Sequence, residues 1–517
     1  MAKHAHEAAL PTVVLDALAP EPLHRQLYFG IRQAILEGRL GAGLRLPSTR
    51  TIAREFAISR NTVLAAFEQL AAEGYLDGRV GAGSFVSHRL PEETPRAREL
   101  REAVRATGGA TARGASRRGR ALAALGASGS RPRPFAPGLP ELDRFPFDVW
   151  ARLLARRWRR PRREFLVGGE PGGYLPLREA LATHLSAARA VACAPAQVII
   201  ISGTQQALDL AARVLLDPGD AVCVEEPGYP PTSAALTVAG ARLVPVPVDD
   251  EGLSVRAGRR LEAAARLICV APSHQYPLGI TMSLRRRLEL LEWAAASDGF
   301  VLEDDYDSEY RYAGRPLAAL QGLDRGGRVI YLGTLSKVMF PGLRLGYMVV
   351  PEHLVDAFLA VRSLLDSHPS TVAQAALGDF IAEGHLAGHI RRMRLLYAER
   401  QAALIERLGA WLAGALSVTP AAAGMHLVAR LAPGLGDRTI SRRARAQGVE
   451  APPLSIYYRG PQVEQGLLLG YAGVDERDMA PAVERLARAF DRDTPTALSH
   501  EPAGLFPAAS PTSITNP

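Results

Sequence analysis

Five short runs rich in β-branched residues recur through the middle of the chain with helical patterns between them: VIIIS at 198–202, AVCVEE at 221–226, RLICVAPS at 266–273, GFVLEDDY at 299–306 and RVIYLGTLS at 328–336. Runs of this length without polar alternation suit strands buried on both faces. Their alternation with helices predicts a mostly parallel α/β sheet covered on each side. Ligands of such sheets bind beyond the carboxyl ends of the strands. With 517 residues and 47% apolar content, the chain can build several domain-sized units, which excludes a small disulfide-stapled scaffold and wholesale disorder.

Three cysteines, Cys193, Cys223 and Cys269, lie far apart without paired spacing, so they mark neither a disulfide framework nor a zinc knuckle, and a reducing cytoplasm is the expected setting. The opening MAKHAHEAALPTVV has no signal-peptide pattern, and no apolar run approaches a membrane span. Four stretches differ in composition. Residues 20–88 read as helices followed by a hairpin, 89–134 as an Arg/Ala/Gly/Ser/Pro linker, 135–492 as the α/β bulk, and 493–517 as a tail expected to be disordered. The net charge of +8 sits in one place, because residues 94–134 hold ten arginines against two glutamates while both flanking parts balance. That segment can attract nucleic-acid phosphate by counterion release, or serve as a solvated, self-repelling linker.

In PLHRQLYFGIRQAILEGRL, Leu23, Leu27, Ile31, Ile35 and Leu36 recur at helical spacing until Gly38 ends the pattern. Residues 49–56 form a second, short helix. SRNTVLAAFEQLAAEG forms a third, opened by Ser59 as N-cap and closed by Gly74, with Leu64, Phe67 and Leu70 expected on its buried face. The two short helices, joined by AIS, make a helix-turn-helix, and YLDGRVGAGSFVS reads as two strands around a glycine turn, a wing. A recognition helix meets the major groove with its N-terminal residues, which here are Ser59, Arg60, Asn61 and Thr62; Arg45, Arg50 and Arg54 lie upstream. The run LPSTRTIAREFAISRNTVLAAFEQLAAEGYL and the wing closely resemble the GntR family of bacterial winged-helix repressors. The resemblance implies double-stranded operator DNA as a partner, Arg50 and Arg60 as groove-contacting arginines, Ser59, Asn61 and Thr62 as their polar neighbours, and the turn at Gly81 as a minor-groove contact. Arg45 joins these candidate contacts.

Four further motifs fall at strand ends. In IIISGTQQALDLAARVLL a strand enters a helix through Ser202, Gly203, Thr204 and Gln205, where free N–H groups and the helix dipole can hold phosphate, although small polar turns are also ordinary connections. EEPGYPP sets Tyr229 beyond the next strand, where a ring can stack on a planar cofactor or fill the core. GFVLEDDYDSEYRY places Glu303, Asp304, Asp305, Tyr306 and Asp307 after a buried strand; such carboxylates can hold magnesium, but no phosphate-lysine loop accompanies them. YLGTLSKVMFPGLRLGY supplies Thr334, Ser336, Lys337 and Arg344. Of 61 basic residues only Lys3 and Lys337 are lysines. A lysine amine, unlike a guanidinium, can lose its proton and attack a carbonyl, so its retention at position 337 points to chemistry. A carboxylate, a phenol, a lone lysine and a phosphate cradle are together what pyridoxal 5′-phosphate (PLP) requires.

With APSHQYPLG added, residues 135–490 resemble the aspartate-aminotransferase-like (fold type I) enzymes of the aminoadipate and kynurenine aminotransferase kind. Their fusion behind a GntR winged helix resembles the MocR subgroup of regulators. The resemblance implies an N-terminal winged helix-turn-helix, helical with a small β wing. It also implies an α/β fold type I PLP-dependent transferase-like domain with a mostly parallel sheet and a smaller C-terminal α+β subdomain. By matching position, Lys337 is the Schiff-base lysine, Asp304 the pyridine-nitrogen partner, Tyr306 the phenolic-oxygen partner and Tyr229 the stacking ring. Gly203, Thr204, Gln205, Thr334, Ser336 and Arg344 form the phosphate cradle. Tyr174, in EPGGYLPLREAL, reaches the neighbouring subunit's site in a homodimer.

Two departures separate the chain from working aminotransferases. Where these carry asparagine before Pro-x-Gly, the chain has Tyr276, as expected of the regulators and counted with the cofactor-site residues. Where they carry an arginine that clamps the substrate carboxylate, GLLLGYAG offers Leu468, so an amino acid would lose both affinity and orientation. Arg459 is the candidate replacement. The expectation is a homodimeric, cytoplasmic transcription factor that senses PLP or an amino compound reacting with it, with residual or half-reaction transamination compatible. The alternative is an active aminotransferase with an attached DNA-binding domain. Neither a metal nor a membrane partner is expected.

Overall fold

The computed structural model describes residues 13, 15–16, 19–79, 83–88, 116, 133–313 and 317–491. The expected tail, nearly all of the expected linker and the wing turn at Gly81 lie outside the described residues. The chain divides into two units, residues 1–114 and 115–517.

The first unit runs α1 (Leu23–Leu36), α2 (Thr49–Glu55), α3 (Arg60–Ala72), β1 (Leu76–Arg79) and β2 (Gly83–Val86), the two strands pairing antiparallel with Leu76 opposite Val86. Ser48 and Ser59 cap α2 and α3, their hydroxyls accepting from the Thr51 and Thr62 N–H groups at 3.1 Å. The helical period places Leu27, Ile31 and Ile35 in one core with Ile52, Val63, Ala66, Phe67 and Leu70. Leu64 departs from the sequence expectation, being 41% exposed. The buried stripe is set by Val63, Ala66, Phe67 and Leu70, and one further residue turns about 100° away from it.

In the second unit, β3 (Val198–Ile201), β4 (Ala221–Glu226), β5 (Arg242–Asp249), β6 (Gly252–Leu253), β7 (Leu267–Val270), β8 (Phe300–Asp305), β9 (Val329–Thr334) and β10 (Gly346–Val349) form an eight-stranded sheet. Its order is β3-β10-β9-β8-β7-β4-β5-β6. The pairs β4–β5, β4–β7, β7–β8 and β8–β9 are parallel, β10 opposes both its neighbours, and β6 is antiparallel to β5. The five β-branched runs are β3, β4, β7, β8 and β9. They are apolar over most of their length because both faces are covered, with acidic residues only at the carboxyl ends of β4 and β8. Ile199, Ile201, Leu302 and Leu332 pack with the helix Thr204–Leu215, while Ile268, Val301 and Val329 pack with Leu290 and Trp293 of the helix Leu284–Ala296. A second, antiparallel sheet of β11 (Leu416–Val418), β12 (His426–Leu431) and β13 (Gly466–Gly470) lies with the helices His385–Leu412 and Glu476–Arg488 in an α+β arrangement. Among the described residues no helix is long and apolar enough to cross a membrane.

Candidate functional site

The carboxyl ends of β3, β4, β7, β8 and β9 open on a cavity of about 320 Å³. Gly203, Thr204, Gln205, Tyr229, Tyr276, Asp304, Tyr306, Thr334, Ser336, Lys337 and Arg344 all line it. Tyr174 does not. It stands at the N-terminus of the helix Leu175–Arg189, its ring edge-on to Phe165 at 5.5 Å.

Strand alternation sorts the acidic run on β8. Glu303 and Asp305 share one face and are consumed by structure. Glu303 accepts from the backbone N–H groups of Leu320 and Gln321, both at 2.8 Å. Asp305 accepts from Arg189 Nε at 2.8 Å and from the Tyr331 hydroxyl at 2.6 Å. Asp304 faces the opposite way, into the cavity beside Val224, Cys269 and Leu302, and accepts no hydrogen bond from any described residue. Burial, then the neighbouring Asp305 and Asp307, push its pKa up to about 7, against a smaller lowering by Lys337. A carboxyl group so placed lacks a cationic partner, and a protonated pyridine nitrogen has the chemistry to be one.

Lys337 follows β9 and donates from Nζ to the Gly138 carbonyl at 2.7 Å. Gly138 has φ +72, and a Cβ there would stand 2.5 Å from Nζ, so glycine is what leaves room for the amine. Burial lowers the Lys337 pKa while Asp307 and Asp304 raise it, and burial prevails. The amine is thereby brought toward its nucleophilic form.

At the other end of the cavity, the N-terminus of the helix Thr204–Leu215 meets Arg344 and Ser336. Gly203 adopts φ +136, and a Cβ would meet the Arg344 guanidinium at 3.2 Å. Helix N-terminal N–H groups beside a guanidinium and hydroxyls have the chemistry to hold a phosphate. Tyr229, 40% exposed, stands edge-on to Tyr276 with ring centroids 5.2 Å apart. Taken together, the lone carboxyl, the half-buried amine and the group of anion-binding residues fit PLP.

The sequence reading passed over Pro137, Gly138, Glu225, Met425 and His426, all of which line the cavity. Asp307 and His274 were within recognised motifs but had no assigned role. They form a buried pair, His274 Nδ1 lying 3.0 Å from Asp307 Oδ2 and 2.9 Å from the Tyr306 hydroxyl. Their ligand atoms and that of His426 lie within 4.8 Å of one another, near enough to hold a metal, although His274 Nδ1 is engaged by Asp307 and His426 Nε2 by the Pro277 carbonyl at 3.1 Å. Leu468 is fully buried with Val428, Leu454 and Tyr457. Arg459 is not among the lining residues, and its backbone N–H donates to Glu226 at 2.6 Å.

In the first unit, Arg50, Ser59, Arg60 and Asn61 are exposed, Thr62 is half-buried, and Ser59 to Thr62 occupy the first turn of α3. Arg45 is half-buried, its backbone bridged to Phe85 and its side chain lying against Gly83 of the wing.

Residues 23–86 match the family model of bacterial regulatory proteins of the gntR family, and residues 139–486 match that of aminotransferase class I and II. The chain is 44% identical to the probable rhizopine catabolism regulatory protein MocR of Rhizobium meliloti, over 96% of this chain and 98% of that protein. It is 31% identical to the pyridoxine biosynthesis transcriptional regulator PdxR of Corynebacterium glutamicum, over 91% and 96%. Among solved structures, the kynurenine aminotransferase of Pyrococcus horikoshii superposes with a TM-score of 0.64 at 30% identity, covering 76% of this chain and 93% of that one.

Proposed function

Since the chain belongs to the MocR subgroup of GntR-family regulators, and is a helix-turn-helix transcriptional regulator with an aminotransferase-like domain, we propose that it binds PLP through Lys337 and uses the loaded cavity to set its affinity for operator DNA. The observation that carries the reading is the Asp304 carboxyl, half-buried in the cavity and accepting no hydrogen bond from any described residue, while the Lys337 amine lines the same space. PLP supplies a carbonyl that condenses reversibly with primary amines. The chain's own residues do the rest. Lys337 attaches the group, and Asp304 keeps a proton on the ring nitrogen. Tyr306 donates to the phenolic oxygen, with its hydroxyl steadied by His274. Tyr229 and Tyr276 bound the ring. Gly203, Thr204, Gln205, Thr334, Ser336 and Arg344 neutralise the phosphate.

On the DNA side, Arg50 and Arg60 are the major-groove contacts with Ser59, Asn61 and Thr62 beside them, Arg45 is a further DNA contact, and the turn at Gly81 is the minor-groove contact. The protein acts in the cytoplasm as a homodimer, Tyr174 completing the partner's site. The reading is tested by adding PLP to purified protein, reducing with borohydride and mapping the labelled peptide. Label at Lys337 is expected, and label at Lys3 or no visible absorbance overturns it. Linkage requires that operator and PLP change each other's affinity by one common factor, about 1 to 3 kcal/mol in typical cases. Identical titration curves with and without the second ligand refute the regulatory half. A working aminotransferase would instead turn over amino donors at steady state, which the apolar Leu468 disfavours.

A further inference from the structure

Residues 152–163 hold seven arginines and no acidic residue, although residues 135–517 as a whole carry no net charge. Local structure decides which of the seven face solvent. Trp150 and Leu153 bury one side of the helix Phe147–Arg159, and Arg152, Arg156 and Arg159, four and then three residues apart, stand exposed on the side turned away from it. Arg160, Arg162 and Arg163 are exposed in the segment that follows.

Pairing within the unit accounts for part of this charge. Arg157 is half-buried and donates from Nε to Asp379 at 2.8 Å, while Arg156 lies 2.8 Å from Asp379 and 2.6 Å from Glu383. Arg162 stands 3.6 Å from Glu164 with both side chains well exposed, where water removes most of the attraction. Arg152, Arg159, Arg160 and Arg163 make no ion pair or hydrogen bond with any described residue. The helix dipole does not explain them, because a C-terminus carries roughly half a negative elementary charge, which a single cation offsets. Trp158, 58% exposed, lies among these guanidinium groups. A second copy presenting the same face would set like charges opposite one another. A polyanion is the complementary partner. Guanidinium groups match phosphate oxygens in charge and in fork geometry, and an exposed indole can lie against the sugars between them. Duplex DNA is the polyanion that a helix-turn-helix regulator already meets.

We propose that the second unit carries a DNA-contacting surface of its own, in which Arg152, Arg159, Arg160 and Arg163 bind backbone phosphates without reading sequence. It adds to the contacts of the first unit and does not depend on PLP. The test is a series of fluorescence-anisotropy titrations of full-length protein on a random-sequence duplex of about 60 base pairs over a range of salt. Replacing all four residues together, Arg152→Gln, Arg159→Gln, Arg160→Gln and Arg163→Gln, is expected to weaken binding about tenfold or more at about 50 mM salt. It should also lower the slope of log affinity against log salt by about 2 to 4, each lost phosphate contact removing about 0.9. The same four positions changed to lysine are expected to keep the slope, since the charge stays. Arg160→Gln with Arg163→Gln, both beyond the helix, should lower the slope by about 1 to 2 and keep the test open where the fourfold variant melts below the wild type. A control that removes four exposed arginines elsewhere, Arg256→Gln, Arg260→Gln, Arg325→Gln and Arg391→Gln, should change it by less than about 1. An unchanged slope in the glutamine variants overturns the proposal, as does an equal loss in the control, which would make net charge the cause. Lysine variants as weak as the glutamine ones overturn the phosphate role.

Discussion

Asp304→Asn should make the cofactor-free protein more stable and the cofactor-bound protein weaker. The Asp304 pKa rises from the ordinary 3.8 to about 7, chiefly through burial. At about 1.36 kcal/mol per pH unit, keeping the ionised carboxylate in the empty cavity costs about 4 kcal/mol at pH 8. The sign follows from the raised value. The folded state binds the proton more tightly than the unfolded chain, so the penalty is full above the folded pKa and fades as pH falls through it. By about pH 5.5 roughly half remains. Urea unfolding of cofactor-free wild type and Asp304→Asn at both pH values isolates this group from Glu225, Glu303 and Glu309, which burial pushes into the same range, because those residues are common to both proteins. The variant is expected to gain up to about 4 kcal/mol at pH 8 and about half that at pH 5.5, while its PLP affinity falls through loss of the ion partner. A variant no more stable than wild type at pH 8, or one that binds PLP as tightly, would refute the reasoning.

Gly138→Ala places a methyl 2.5 Å from Lys337 Nζ at φ +72. It should cost about 1 to 2 kcal/mol of stability and reduce PLP attachment, as read by thermal melts and by visible absorbance, and attachment at the wild-type level refutes it. Arg60→Ala should lower operator discrimination by about 1 to 3 kcal/mol in competition gel shifts; equal losses on operator and random DNA would make Arg60 a phosphate contact. Because Leu64 is 41% exposed and Phe67 is 5% exposed, Leu64→Ala should change stability by less than about 0.5 kcal/mol and Phe67→Ala by about 3 to 5 kcal/mol, and comparable losses in denaturant titrations would contradict the assignment of the core face.

Much of this protein was determined by sequence alone. Strands covered on both faces are apolar over most of their length, so β3, β4, β7, β8 and β9 announced themselves as short runs, and the helices between them pointed to a mostly parallel sheet. Ser59 and the helical stripe on α1 were equally plain, since capping and helical periodicity are local properties. Lys337 stood out because arginine fills nearly every other basic position. The tertiary structure decided what depends on the direction of a side chain and on segments distant in sequence. Glu303, Asp304 and Asp305 read as one acidic cluster until the pleat of β8 sent the outer two into structural bonds and the middle one alone into the cavity. Leu64 looked like core until the phase of α3, fixed by packing, turned it to solvent. Gly138 and His426 carried no signal, because neither residue has a recognisable chemistry in its own neighbourhood. They become part of the site only where the segment before the helix Phe147–Arg159 and a strand of the smaller sheet meet Lys337, bringing positions 138, 337 and 426 to one cavity.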